Sequence, residues 1–168
     1  ISLEGVDYLL EVDEVLTEAP NIALNDASLE IGSLIAHRVS NGSTLQLGIG
    51  AIPNAVIASM QKHQDLRIWS EMFSDGVLGL VRTNAVAQDS TLTASFLFGS
   101  RELYDWVDLN ERVVMRRTET TNDPGLISEQ VKMTSVNAAL QVDLFDQANA
   151  SYVNGQPYSG FGGSTDFI

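Results

Sequence analysis

The chain has 168 residues, of which 44% are hydrophobic and 18% are charged, so it can bury one sizeable core but not two. Its net charge of −13 argues against nucleic-acid binding, because proteins that follow a phosphate backbone need clustered Lys and Arg. It has no cysteine, which excludes disulfides and thiolate sites and is compatible with a cytoplasmic location. No apolar run reaches the ~18 residues of a membrane span, and His37 and His63 lack metal-ligand spacing. We therefore predict neither a membrane segment nor a metal site.

The first part of the chain is predicted to be an acidic, extended lead-in without regular structure. Asn25 or Asp26 can then cap a helix over residues 26–40. We accordingly divide the chain into a lead-in or interdomain segment, 1–25, and a domain, 26–168.

Strands and helices alternate through the middle of the chain. The predicted strands are residues 44–49, 66–70, 91–98 and 112–116, with helices following the first three. This alternation predicts an α/β fold with an open, mainly parallel sheet flanked by helices. Beyond residue 131 the pattern predicts an irregular, hairpin-rich tail whose last residues, 166–168, form a strand. Because the chain begins with Ile and stops in that strand, we expect both ends to be cut ends.

A glycine turn, Gly48-Ile49-Gly50, stands where the first strand gives way to a helix. Such a turn lets the backbone approach a ligand and points free N–H groups at an anion. An ordinary structural turn explains the same residues equally well. A dinucleotide-binding turn is a weaker alternative, because Pro53 replaces its third glycine.

Glu71 follows the second predicted strand, at the sheet edge where open α/β proteins usually bind ligands. A carboxylate in that position can act as a nucleophile. For a single glutamate, a capping or surface role is the simpler interpretation.

Six sequence blocks resemble the acetyl-CoA hydrolase and 4-hydroxybutyrate CoA-transferase family. They are TLQLGIGAIPNAV (44–56), SEMFSDGV (70–77), TASFLFGSRELYDWVD (93–108), TNDP (121–124), SVNAALQVDL (135–144) and SGFGGSTDF (159–167). They occur in order over almost the whole chain, so together they are specific although each alone is weak. The resemblance implies two open α/β domains, of which this chain would be most of the second.

The resemblance also implies roles for individual residues. Glu71 matches the glutamate that forms a glutamyl-CoA thioester, and Asn122 and Gly163 match groups near the thioester oxygen. The residues that would contact coenzyme A are Gly48, Ile49, Gly50, Ala51, Ile52, Asp146 and Gly162. Asp146 stands where the family commonly has a glycine, which puts that contact in doubt.

The implied substrates are an acyl-CoA and a short carboxylate, without a metal. The implied partners are a missing amino-terminal domain and a second copy of the chain in a homodimer. The chain departs from the family at Trp69-Ser70, where His-Thr is usual, and at residues 84–89, where a basic cluster is usual. The second departure predicts a loss of phosphate partners.

Two alternatives come from other functional classes. A nicotinamide-dependent oxidoreductase would bind NAD, and a non-catalytic nucleotide-binding module would bind coenzyme A without covalent labelling. A thioester on Glu71 belongs to the CoA-transferase interpretation alone.

Overall fold

The structure is a computed structural model that describes residues 4–20, 23–160 and 162–168. Its helices are α1 Asp26–Ala36, α2 Ala51–Ser59, α3 Asp75–Arg82, α4 Arg101–Val107, α5 Thr118–Thr121 and α6 Pro124–Ser128. Its strands are β1 Thr44–Leu47, β2 Arg67–Trp69, β3 Met72–Phe73, β4 Leu92–Ala94, β5 Phe96–Leu97, β6 Val113–Met115, β7 Thr134–Val136, β8 Gln141–Val142, β9 Ala148–Asn149, β10 Tyr152–Val153 and β11 Gln156–Pro157. A 3-10 helix, Gly163–Phe167, comes last.

Five strands form one parallel sheet in the order β6-β4-β2-β1-β7. The chain steps outward from β1 through β2, β4 and β6, and then returns to the other side of β1 with β7. Ligands of open α/β sheets bind where the strand order reverses, outside the carboxyl ends of the strands. The predicted α/β class with an open, mainly parallel sheet is confirmed.

The core lies between this sheet and the helices that follow its strands. Leu45 and Leu47 of β1 are buried, as are Ile57 of α2 and Leu80 of α3. Helix α1 packs along α2, and α2 packs on α3. The strands of the sheet and the helices that follow them therefore share one continuous core.

Several predicted boundaries are corrected by local hydrogen bonds. Asn25 caps α1 as predicted, and its Oδ1 accepts from the Ser28 N–H at 2.8 Å. The helix nevertheless ends at Ala36 rather than 40, because from Arg38 onward the N–H groups bond three residues back, such as Arg38 N to Ile35 O at 2.8 Å. Strand β1 stops at Leu47 rather than 49, since the glycine turn begins there.

The predicted strand 91–98 is two short strands, β4 and β5. The carbonyl of Glu71 accepts from two successive donors, Ser95 N at 2.8 Å and Phe96 N at 3.1 Å. Two donors that converge on one acceptor interrupt the regular ladder, so β4 pairs with β2 and β5 pairs with β3.

The tail contains two hairpins, β8–β9 and β10–β11, as predicted. The predicted strand at residues 166–168 is wrong, since these residues belong to or follow the 3-10 helix, which buries Phe167.

Residues 4–20 of the lead-in contain no helix or strand. Residues 1–3 and 21–22 of the lead-in, and Phe161 of the last motif, lie outside the described residues. None of the described helices combines the length and apolar character that crossing a membrane requires.

Candidate active site

Glu71 sits between β2 and β3 at the carboxyl edge of the sheet, and it is half-buried. Besides the two backbone donors, its carbonyl accepts from the Ser95 hydroxyl at 2.8 Å. The neighbouring Ser70 is buried, and its hydroxyl accepts from the Leu47 N–H at 3.2 Å, which ties the end of β2 to β1. The backbone that carries the Glu71 carboxylate is thus fixed from both sides.

The amide of Asn122 contacts the Glu71 carboxylate. Asn122 Nδ2 donates to Glu71 Oε2 at 3.3 Å and to Asp166 Oδ2 at 2.8 Å. Its Oδ1 accepts from the Thr121 hydroxyl at 2.9 Å. The structure therefore brings two predicted site residues together and adds Asp166, which the sequence analysis did not single out.

Gly163 lies directly against both groups. A Cβ on Gly163 would overlap the Glu71 carboxylate and the Asn122 amide. Its φ angle is outside the left-handed region, so backbone freedom does not explain the glycine. The glycine is explained instead by the close approach of the backbone to the Glu71 carboxylate.

A cleft of about 290 Å³ opens in front of Glu71. Its lining comes from the ends of β1, β2 and β7, from β3, from β5 and the residue after it, and from the start of the 3-10 helix. It includes the predicted residues Gly48, Ile49, Glu71, Gly162 and Gly163. This is the point of strand reversal at which the topology predicts a ligand.

A second, outer cleft of about 570 Å³ adjoins the first, because Ile49 and Phe98 line both. Gly50 lines the outer cleft, whereas Ala51 and Ile52 are in the first turn of α2 and line neither cleft. Of the five predicted coenzyme contacts in this turn, three therefore line a cleft: Gly48 lines the first, Gly50 the outer one and Ile49 both.

Asp146 is exposed in the turn between β8 and β9 and lines neither cleft. Its φ angle is 61°, a left-handed conformation that favours glycine. A glycine at this position of the family pattern thus has a conformational reason that does not involve coenzyme A.

Acidic rather than basic side chains line the outer cleft, and no Lys or Arg is among the described residues that line either cleft. Glu18 Oε2 accepts from the Arg101 N–H at 3.0 Å, and Asp75 Oδ2 accepts from the Ser100 N–H at 3.0 Å. Glu102 pairs with Arg82 at 2.6 Å, and this hydrogen bond raises the pKa of the Arg82 guanidinium. The carboxylates of the outer cleft are therefore already partnered.

The segment 84–89, which lacks the basic residues of the family pattern, is at the other edge of the sheet. Val86 bridges to Leu66, beside the amino end of β2, whereas Glu71 follows the carboxyl end of the same strand. Residues 84–89 line neither cleft, and the predicted loss of phosphate partners stays a prediction.

Trp69 and Asn137 have contacts that explain them structurally. Trp69 Nε1 donates to the Thr121 carbonyl at 2.8 Å and so connects β2 to the turn that carries Asn122. Asn137 Nδ2 donates to Gln46 Oε1 at 2.9 Å, which links β7 to β1. Among the described residues, no group of three or more metal-ligating side chains is assembled.

Comparison with known proteins gives consistent matches. Residues 99–168 match the family model for the acetyl-CoA hydrolase/transferase C-terminal domain. The chain is 36% identical to 4-hydroxybutyrate coenzyme A transferase of Clostridium kluyveri, and the alignment covers 100% of this chain and 41% of that protein. It is 32% identical to acetyl-CoA hydrolase of Kluyveromyces lactis over 74% of this chain and 24% of that protein.

A solved structure of RipA from Yersinia pestis shares the fold, with a TM-score of 0.89 and 30% sequence identity. The match covers 99% of this chain and 39% of that one. The chain thus spans about two fifths of the proteins that it matches over its whole length.

Proposed function

Because this chain belongs to the acetyl-CoA hydrolase/transferase family, we propose that the longer protein moves coenzyme A between an acyl-CoA and a short carboxylate, with Glu71 as the nucleophile. The observation that carries the proposal is the position of the Glu71 carboxylate. It lies at the carboxyl edge of the sheet, contacted by Asn122 and with Gly163 against it, in a cleft large enough for a reacting thioester.

In the first half-reaction, Glu71 Oε1 attacks the carbonyl carbon of the acyl-CoA. The C–S bond breaks, which gives an acyl-glutamyl anhydride and free CoA thiolate. The thiolate then attacks Cδ of Glu71, and the donor carboxylate leaves with Oε1. The product is a glutamyl-CoA thioester whose carbonyl oxygen is the original Oε2.

In the second half-reaction an acceptor carboxylate attacks Cδ of the thioester and releases the thiolate. The thiolate attacks the acyl carbon of the new anhydride, which yields the new acyl-CoA and restores the Glu71 carboxylate. If water attacks the thioester instead, the outcome is hydrolysis. The similarity to both a transferase and a hydrolase fits one shared intermediate.

Asn122 suits the role of an oxyanion donor in these steps. Negative charge develops on Oε2 whenever Cδ becomes tetrahedral, and the Asn122 amide already hydrogen-bonds this oxygen. A donor that is in place before the reaction costs no reorganisation, and each such donor contributes about 3 kcal/mol. Gly163 lies against the same oxygen, and its backbone N–H is proposed as the second donor.

The adjoining outer cleft is proposed to take the uncharged pantetheine arm of coenzyme A. Its carboxylates already have partners, and the part of the chain that the structure describes contributes no Lys or Arg to its lining, which disfavours binding of the phosphates there. The charges that bind the phosphates, and the other wall of the active site, are proposed to come from the rest of the longer protein. The chain is then most of a second domain, from residue 26 onward, in a cytoplasmic homodimer.

The test is to trap the thioester in the full-length protein. After incubation with acetyl-CoA, borohydride reduces a glutamyl thioester to an alcohol, which lowers the mass of the peptide containing Glu71 by about 14 Da. Glu71→Ala is expected to lower turnover by about 10⁴-fold or more, because loss of a nucleophile removes the covalent route.

The matched control is Glu111→Ala, at an exposed glutamate in the turn before β6; it is expected to keep normal turnover and trapping. Normal turnover by Glu71→Ala would remove Glu71 from the mechanism. Binding of coenzyme A without any mass loss would favour a binding module, and binding of NAD would favour an oxidoreductase.

A further inference from the structure

We infer that Asp166 is a positioning residue that holds the Asn122 amide in the orientation needed to donate to Glu71; the inference rests on the proposed function. Asn122 Nδ2 is closer to Asp166 Oδ2, at 2.8 Å, than to Glu71 Oε2, at 3.3 Å. The shorter of the two hydrogen bonds from this amide is therefore made to Asp166, which takes no part in the proposed covalent chemistry.

The three partners of the amide define a single orientation. The NH₂ group has two protons, and the two carboxylates each accept one of them. On the other side, Oδ1 accepts from the hydroxyl of Thr121, a residue that is fully buried. If the amide turned over, its oxygen would face two carboxylates and its NH₂ group would face the hydroxyl.

This arrangement matters because the Glu71 carboxylate changes its charge during the reaction. When Glu71 becomes an anhydride or a thioester, Oε2 is a neutral carbonyl oxygen and attracts the amide less than a carboxylate oxygen does. Asp166 keeps its own bond to Nδ2 throughout. The second N–H therefore stays aimed at Oε2 while the tetrahedral intermediates form, which is when its donation accelerates the reaction.

Asp166 reaches this position because the chain turns as a 3-10 helix after Gly162. The helix buries Phe167 and leaves the Asp166 side chain exposed beside Asn122. From the other side, Trp69 Nε1 donates to the carbonyl of Thr121, the residue before Asn122. Asn122 is thus braced by elements that are distant from each other along the chain.

The experiment is a double-mutant cycle in the full-length protein, with Asp166→Ala, Asn122→Ala and the double variant. Asp166→Ala is expected to lower kcat by about 10- to 100-fold, the range for losing a hydrogen bond to a charged group. The KM for the acyl-CoA is expected to change less than about twofold, because the lost interaction acts in the transition state. The double variant is expected to be as slow as Asn122→Ala alone, since Asp166 acts through Asn122.

Asp166→Asn keeps the size of the side chain and guards against a folding artefact; its kcat is expected to fall between those of the wild type and Asp166→Ala. Asp108→Ala, at an exposed aspartate at the far end of α4, serves as the control and is expected to keep wild-type kcat. A normal kcat in Asp166→Ala, or losses that multiply in the double variant, would overturn the inference.

Failure of the inference is distinguishable from failure of the proposed function. If borohydride traps the thioester on Glu71 in the wild type and Asp166→Ala is fully active, only the role of Asp166 is wrong. If no thioester is trapped and Glu71→Ala remains active, the covalent mechanism itself is wrong.

Discussion

Gly163 shows why a residue without a side chain can be essential to an arrangement of side chains. Its backbone occupies the space beside the Glu71 carboxylate and the Asn122 amide, and any Cβ would overlap both groups. The overlap involves the two functional groups themselves rather than the flexible end of a distant side chain. Neither group can move aside without losing its place in the site.

Gly163→Ala is therefore expected to lower kcat by about 100-fold or more, because a shift of about 1 Å in a reacting group costs that much. Turnover in the full-length protein is the measurement, with circular dichroism to confirm folding. The control is Gly160→Ala, because a Cβ at Gly160 meets nothing within 4 Å; it is expected to leave kcat unchanged. Similar kcat values for both variants would contradict the close-approach argument.

The sequence identified a site residue only where that residue matched a functional position of a family motif. Glu71, Asn122 and Gly163 were identified through resemblance, and the structure brings them together. Asp166 was missed although it stands in the same motif as Gly163, because its bond to Asn122 joins residues 44 positions apart. No local pattern distinguishes an aspartate that positions a remote amide from a solvated one.

At the scale of elements, the sequence predicted the alternation of strands and helices but not where the strands break. The alternating apolar residues of 91–98 fit one strand, yet Ser95 and Phe96 both donate to the Glu71 carbonyl and divide it. Helix α5, Thr118–Thr121, was also missed, because its sequence TETT is rich in β-branched residues that disfavour helix. Tertiary contacts decide both features.

At the contact between α1 and α2, a substitution can show whether the cost of overpacking exceeds the gain in helix propensity. A Cβ on Gly32 of α1 would lie 2.5 Å from the Ala55 carbonyl carbon and 2.8 Å from its Cβ. Gly32→Ala gains about 1 kcal/mol of helix propensity, but overpacking of a core costs about 1–3 kcal/mol. Since the neighbouring atoms are mostly backbone, we expect the cost to exceed the gain and the urea midpoint to fall.

The matched variant is Gly79→Ala in α3, where the nearest atom to the added Cβ is the flexible Gln61 Nε2 at 3.4 Å. It should raise the stability by about 0.5–1 kcal/mol, because only the helix preference changes there. If Gly32→Ala proved as stabilising as Gly79→Ala, the two helices would not pack as closely as the structure has them.

At the scale of the whole molecule, the reversal of strand order at β1 gathers the site from distant parts of the sequence. Gly48 follows β1, Glu71 follows β2, and Asn137 follows β7, and all three line the same cleft. The predicted alternation of strands and helices implied a parallel sheet, and hence a shared carboxyl edge. It did not give the strand order, because the return of β7 to the other side of β1 depends on long-range pairing.

The lead-in exposes many apolar side chains that no other described residue covers. Its end is held to the domain by the Ala19 N–H, which donates to the Gly99 carbonyl at 2.9 Å, and by the Tyr104 hydroxyl, which donates to the Thr17 carbonyl at 2.9 Å. Before this point its apolar side chains are open to solvent, with Tyr8 95% and Leu10 83% exposed. A run of exposed apolar side chains is typical of a surface that another part of a protein covers.

Because the relatives are more than twice as long as this chain, we expect the rest of the full-length protein to cover the lead-in. Leu10→Ser is then expected to lower its free energy of unfolding by about 1.5–3 kcal/mol, the range for burying a leucine side chain. The neighbouring Glu11→Ser, at an exposed charged position, should have little effect. Thermal unfolding measures the difference, and amide exchange over residues 6–16 reports coverage directly. Equal Tm values for the two variants, together with fast exchange, would mean that the lead-in stays exposed in the complete protein.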